Sequence, residues 1–164
     1  MEETERIAAL ETTRTRGGTV PRYTLLVLRV WVGMTWARAG WNKLTTEDGW
    51  VATLMTSVER SRPHSLFKPF LDGVVVPHAV LFATLVSWGE LLVGVSLLLG
   101  AGTRFGASVG MFLSLNYMLL QNRFFPGYDG TLFVAQLVLL LSASGRAFGA
   151  DAYLHRRWPR PAVW

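Results

Sequence analysis

A single carboxylate, Glu90, stands in one of the most apolar stretches of the chain, PHAVLFATLVSWGELLVGVSLLL over residues 77–99. A second apolar stretch, RVWVGMTWARAGWNKL over residues 29–44, carries Arg29 and Arg38 and ends in Lys43. A charge at bilayer depth costs at least ~2.5–3.5 kcal/mol when it has no partner, so pairing is the expected solution. Arg29, Gly33, Trp36, Gly40 and Lys43 are spaced 4, 3, 4 and 3 and share one helix face. The two glycines on that face let another helix approach closely, so the face is read as inward. Arg29 lies ~6 Å to the cytoplasmic side of its helix midpoint and Glu90 ~2 Å to that side of its own, at ~1.5 Å per residue. This depth arithmetic makes Arg29 the first expected partner of Glu90 and Arg38 the second. Glu90, Arg29 and Arg38 are therefore the candidate catalytic residues, as a buried charge cluster. Two readings stay open: a structural lock between two helices, or a polar pocket for a quinone, a proton or a small anion.

A second group of polar residues gathers at the other end of the apolar blocks. Trp41, Asn42 and Lys43 close the first block, His78 opens the second, and Asn116, Tyr117, Gln121, Asn122 and Arg123 close the third. Tyr128 and Asp129 precede the fourth, with Gln136 further in. Trp36, Lys43, His78, Asn116, Gln121 and Asp129 are the candidate binding residues of an outward-facing pocket with aromatic walls. The competing reading is an interfacial aromatic belt plus helix caps, with Asp129 capping the fourth helix. The one cofactor expected is a quinone, bound beside Glu90 and the first-span arginines. No haem, flavin or metal motif is visible: His64, His78 and His155 are scattered, and HExxH, P-loop, GxGxxG and Ser-His-Asp patterns are missing. The chain has no cysteine, which excludes disulfides, thiolate metal sites, CxxC redox chemistry and covalent haem.

These residues need elements to hold them. Apolar residues make up 51% of the 164, charged ones only 16% against roughly 25% in soluble proteins, and the apolar residues collect in four blocks. The fold class read from this is all-α: a polytopic membrane protein, a bundle of four transmembrane helices spanning about 22–44, 77–99, 103–121 and 131–148. Within residues 45–76, Trp50, Val51, Leu54, Met55 and Val58 recur at helical spacing, which predicts an amphipathic surface helix between the first two spans. The aromatic, proline-punctuated SRPHSLFKPFLDG that follows is expected to lie on the membrane surface and cap the bundle. Gly102, Gly106, Gly110 and Ser114 form a small-xxx-small seam along the third span. Residues 1–20 read as a polar cytoplasmic tail, 21–155 as the membrane domain and 156–164 as a basic C-terminal tail. A cleaved signal peptide, with Ala37-Arg38-Ala39 imitating its cleavage site, is opposed by the acid-containing leader and by Arg29.

Arg6, Arg14, Arg16, Arg22, Arg104, Arg146, Arg156, Arg157 and Arg160 fall on one side of such a bundle; Lys43, Arg60, Arg62, Lys68 and Arg123 fall on the other. The excess places both termini in the cytoplasm and the long connection outside. The net charge of +5 is read as cytoplasmic anchoring against anionic lipid; no basic-aromatic module points to nucleic acid. The expected partners are the lipid bilayer and other membrane subunits, or a second copy joined through the glycine seams. A small-solute transporter is a weaker reading, since no broken helix pair or duplicated half is seen.

The order of motifs resembles a known family. G-W-N-K-L closes the first span (Gly40 to Leu44), and W-G-E-L-L-V-G-V-S-L-L-L-G fills the second (Trp88 to Gly100). G-T-R-F-G-A opens the third (Gly102 to Ala107), and S-G-R-A-F-G-A-D-A-Y-L runs from Ser144 to Leu154. Together, over roughly residues 25–155, they are similar to the DoxX/DoxD group of small bacterial membrane proteins. The resemblance implies a four-helix bundle in the bacterial inner membrane. One branch of the group is the small subunit of thiosulfate:quinone oxidoreductase; other members are linked to redox-stress complexes. The family's Lys at the end of the first span maps onto Lys43, its Glu in the second onto Glu90 and its terminal Asp onto Asp151. The long first connection and Arg38 depart from the family pattern. The function expected is that of a redox-associated, quinone-linked membrane subunit, within a larger oxidoreductase complex. The alternative is a non-catalytic accessory subunit.

Overall fold

A computed structural model of the chain describes residues 22–46, 50–142, 149–151 and 153. The two tails and the end of the fourth apolar block, residues 143–148, lie outside the described residues. Every regular element among the described residues is helical. The helices are α1 (Arg22–Leu44), α2 (Trp50–Arg60), the short α3 (Lys68–Phe70), α4 (Ala79–Leu99), α5 (Thr103–Gln121) and α6 (Tyr128–Ser142). A π-helical stretch, Leu71–Val75, leads from α3 towards α4.

α1, α4, α5 and α6 pack around one core that includes Val32, Trp36, Val93, Leu97, Leu113, Leu132 and Leu139. The tightest seam joins α1 to α4. A Cβ built on Gly94 would fall 2.6 Å from Ala37 Cα, and one on Gly40 would fall 2.7 Å from Ser87 O. Backbone meets backbone there, which only glycine permits. The contacts Gly33–Leu98, Ala37–Gly94 and Gly40–Leu91 fix an antiparallel register. The seam from α5 works differently: the space beside Gly110 is taken by the buried Gln136 of α6, whose Oε1 accepts a 3.4 Å hydrogen bond from Ser114.

Helix ends follow from local chemistry. α4 stops because Gly100 adopts a left-handed conformation (φ 62°), and Gly102 (φ 63°) repeats this before α5. Such backbone comes at least cost with glycine. Asp151, fully buried, then locks the turn: it accepts from Gly102 N at 2.6 Å and Thr103 N at 2.9 Å, while its own N–H donates to Gly100 O at 2.8 Å. Two of the otherwise unpaired N–H groups at the start of α5 are thereby satisfied.

The outer surface of the bundle is rich in large apolar side chains, and several polar ones lie within its apolar core. Val27, Trp31 and Met34 of α1, Leu85, Trp88 and Leu92 of α4, Phe105 and Phe112 of α5 and Leu141 of α6 face outwards. Arg29, Ser87, Glu90, Thr103, Ser114 and Gln136 face in. By length and composition, α4 is the one described helix apolar enough to span a membrane by itself. α1 is interrupted by its charges, and the described part of α6 has 15 residues.

The connection between α1 and α4 covers one end of the bundle. α2 lies on the surface with none of its residues fully buried. His64 N donates to Leu119 O of α5 at 2.9 Å, and Leu71 and Val75 of the π-helical stretch turn inwards.

Candidate functional site

The register of α1 against α4 decides which cation meets Glu90. With Gly40 against Leu91, Glu90 lies near the level of Trp41, and Lys43 is within reach. Lys43 Nζ forms an ion pair with Glu90 Oε1. It also donates to the Tyr117 hydroxyl at 2.6 Å, and that hydroxyl donates to Glu90 Oε1 at 2.5 Å. Three side chains from α1, α4 and α5 close a hydrogen-bonded triangle. The Glu90 side chain is 1% exposed and that of Lys43 12%, so the triangle has a sealed side and an open side. Trp50, the first residue of α2, lies over Lys43 Nζ with its ring centroid 4.5 Å away, a cation–π contact.

This corrects the pairing expected from depth. Glu90 does not pair with Arg29 or Arg38. Arg29 is buried at the far end, against Gly100 and Gly149, where it feels the charge of Asp151. Arg38 is exposed on the outward face of α1. Span midpoints place α1 and α4 side by side, whereas the glycine seam slides them past one another.

The open side of the triangle faces a cavity of about 340 Å³ lined by Thr35, Trp36, Ala39, Lys43, Glu90, Tyr117, Gln121, Tyr128, Asp129 and Leu132. Of the six residues assigned by sequence to an outer pocket, Trp36, Lys43, Gln121 and Asp129 meet here. Gln121 Nε2 donates to Asp129 Oδ2 at 3.0 Å. The other two do not line the cavity. His78 is exposed at the start of α4, with Nδ1 3.0 Å from Val74 O. Asn116 donates to Phe112 O at 2.7 Å and lines a different, apolar cavity.

Tyr117 and Tyr128 were placed by sequence at this end of the bundle and Trp50 in the amphipathic helix, but none of them was among the candidate binding residues, and Thr35 was not named. Tyr117 carried a usable signal: it follows Gly110 and Ser114 at helical spacing and so shares their inward face. Trp50 had none beyond opening an amphipathic helix.

Two buried polar atoms on this cavity's residues lack a hydrogen-bond partner: Glu90 Oε2, an acceptor, and Trp36 Nε1, a donor. Both atoms are sealed beneath the wall of the cavity rather than open to it. The cavity has room for about eleven water-sized groups at ~30 Å³ each, the size of a substituted six-membered ring. No group of three His, Asp or Glu suited to a metal ion occurs among the described residues.

No curated protein and no solved structure matches the chain. The sequence model of the DoxX family matches residues 24–123, more than half of the chain and the whole segment that supplies Lys43, Glu90 and Tyr117, and the chain belongs to that family.

Proposed function

We propose that this DoxX protein is a four-span membrane protein that binds a quinone head beside Lys43, Glu90 and Tyr117 and serves quinone-linked redox chemistry. The observation that carries the reading is the closed Lys43–Glu90–Tyr117 triangle on the wall of a ring-sized cavity, with Lys43 on its open side. The apolar outer surface, with charged residues enclosed inside the bundle, supports placement of all four long helices in a bilayer.

When bound, a quinone supplies a two-electron, two-proton acceptor. The residues contribute positioning and proton handling. Lys43, on the open side of the triangle, offers an N–H donor to a ring oxygen. Glu90 can hold or release a proton at Oε2, the oxygen that the triangle leaves free. Tyr117 fixes the other oxygen, so the carboxylate stays oriented. With Lys43 charged, the ion pair keeps the buried site near neutrality and so limits its desolvation cost.

A second reading, an accessory subunit with no chemistry of its own, is favoured by one feature. Arg38 sits with Trp31, Met34 and Trp41 on the outward face of α1, a composition typical of protein contact centres. Purification in a gentle detergent, with mass spectrometry of lipids and proteins, separates the two. Stoichiometric quinone that is lost in Glu90→Gln while the bundle stays folded is the result expected. Larger subunits in fixed ratio, with quinone held only by them, would overturn the proposal in favour of the accessory role.

A further inference from the structure

Three arginines share one cavity at the end of α5 remote from the Asp151 turn. Arg60 ends α2, Arg62 follows it by two residues, and Arg123 lies just past the end of α5. Together they line a space of about 560 Å³ that has no acidic residue on its wall. Two segments far apart in the chain are tied to make this meeting. His64 N donates to Leu119 O at 2.9 Å, and the His64 ring stands edge-on to Phe124 with centroids 6.2 Å apart. His64 is two residues from Arg62 and Phe124 is one from Arg123, so these ties hold the arginine-bearing backbones together. The chain leaves α5 through Asn122, in the left-handed conformation (φ 50°), and Arg123 N donates back to Met118 O at 3.1 Å.

None of the three guanidinium groups makes an ion pair or a hydrogen bond among the described residues. Helix ends account for part of the charge, since a helix C-terminus carries about half a negative charge. Two helices end here, so about one negative unit faces three positive ones. Glu59 lies on the wall of the adjoining cavity with Arg62, where Asp72 is already paired with Lys68 at 2.7 Å. Asp129, bonded to Gln121, lines the polar cavity and lies near Lys43. An excess of about one positive charge is left on the arginine cavity, the charge that one phosphodiester cancels. The hydroxyls of Ser57 and Ser61 donate to Thr53 O and Val58 O, so the free donors are N–H groups of the arginines and of the Gln121 and Asn122 amides. Planar N–H forks with no competing carboxylate suit an oxoanion, which arginine grips through two parallel bonds. We infer that this cavity binds one phosphate-class oxoanion between Arg60, Arg62 and Arg123. Phe124 and Phe125, next in the chain to Arg123, are exposed, an apolar edge beside basic groups of the kind that meets a lipid interface. Two sources offer the same chemistry: the phosphodiester of a phospholipid headgroup, and free phosphate. The site stands apart from the polar cavity and does not depend on what that cavity holds.

The test uses the purified full chain, delipidated in a neutral detergent, and three probes. These are short-chain phosphatidylglycerol, the diacylglycerol with the same chains, and inorganic phosphate. Native mass spectrometry counts what is bound and titration calorimetry gives the affinity. The variants are Arg62→Gln combined with Arg123→Gln, Arg123→Lys alone, and Arg104→Gln, which removes one charge at the other end of α5. The expected result is one phosphatidylglycerol or one phosphate per chain, held about tenfold or more weakly by the double variant. Arg123→Lys, which keeps the charge but loses the fork, should weaken it less, and Arg104→Gln should stay within about twofold of wild type. Wild-type affinity should also fall as salt is raised. Phosphatidylglycerol that inorganic phosphate does not displace identifies a headgroup site; displacement by inorganic phosphate identifies a free-oxoanion site. Diacylglycerol bound as tightly as phosphatidylglycerol would show that chains and not phosphate are held, and would overturn the inference. Binding indifferent to the arginine variants and to salt, or no probe bound by wild type, would overturn it as well. If the double variant does not fold, Arg123→Lys and the salt dependence of wild type decide.

Discussion

Replacing Lys43 with Met should damage the fold more than replacing Glu90 with Gln, although the two residues are partners. Lys43→Met strands a carboxylate that is 1% exposed, leaving it only the Tyr117 hydroxyl. Removing one partner of a buried ion pair costs about 3–5 kcal/mol, because the other charge stays desolvated. Glu90→Gln strands the ammonium instead, but that group is 12% exposed, also lies near Asp129 and keeps its Tyr117 and Trp50 contacts. A cost of about 1–2 kcal/mol is expected there, the range of a lost hydrogen bond to a charged group. Changing both, Lys43→Met with Glu90→Leu, removes the pair without leaving a charge and should return to within about 1 kcal/mol of wild type. For a chain of this size about 1 kcal/mol moves Tm by 2–4 °C, so the single Lys43→Met change should lower it by about 6–20 °C. Far-UV circular dichroism melts in one detergent at one pH measure all three. A double variant no more stable than Lys43→Met would refute the argument, since the loss would then be packing and not a stranded charge.

Three further outcomes follow from the geometry. Asp151→Ala removes the acceptor for Gly102 N and Thr103 N and should cost about 1–3 kcal/mol, read as a lower Tm with ligand binding otherwise intact. Tyr117→Phe keeps the ring but loses the bond to Glu90; fluorescence titration should show quinone affinity about tenfold weaker, with Tm changed by only a few degrees. Gly94→Ala sets a methyl group against Ala37 and should destabilise by about 1–3 kcal/mol, whereas Ala at Gly73, which has open space, should cost under about 0.5 kcal/mol in the same melts.

Helix limits were legible because polar residues bound each apolar block. The first block was read as 22–44 and the third as 103–121, and the helices are Arg22–Leu44 and Thr103–Gln121. The amphipathic run near Trp50 became α2 for the same reason. The partner of Glu90 was not legible from depth. Matching span midpoints sets residue 33 level with residue 88, but Gly33 contacts Leu98. That is a slide of about ten residues, or ~15 Å at 1.5 Å per residue. The information was nevertheless in the sequence: Gly33 and Gly40 on one face and Gly94 on the other must meet, and bringing them together moves Glu90 to Lys43. Asn116 was misplaced for a rotational reason. It is one residue from Tyr117, and one residue turns a helix by about 100°, enough to change cavities.

The glycines of the α1–α4 seam touch no polar group, yet they place the site. Lys43 and Glu90 come from two helices that share no covalent restraint nearer than the 34 residues between Leu44 and Ala79. A slip of α1 by one turn is ~5.4 Å. The bonds from Lys43 to Tyr117 and from Tyr117 to Glu90 are 2.6 and 2.5 Å, so no rotamer of the triangle survives that slip intact. Side chains of ordinary size on both helices would allow several registers of similar energy, as ridges settle into successive grooves. Backbone contact at Gly40 and Gly94 removes that freedom, because each pocket accepts a glycine and nothing larger. At the far end, Arg29 packs on Gly100 and Gly149 beside Asp151 and opposes the same slip. The arginine that breaks the first apolar stretch therefore helps to set the position of a carboxylate it never touches.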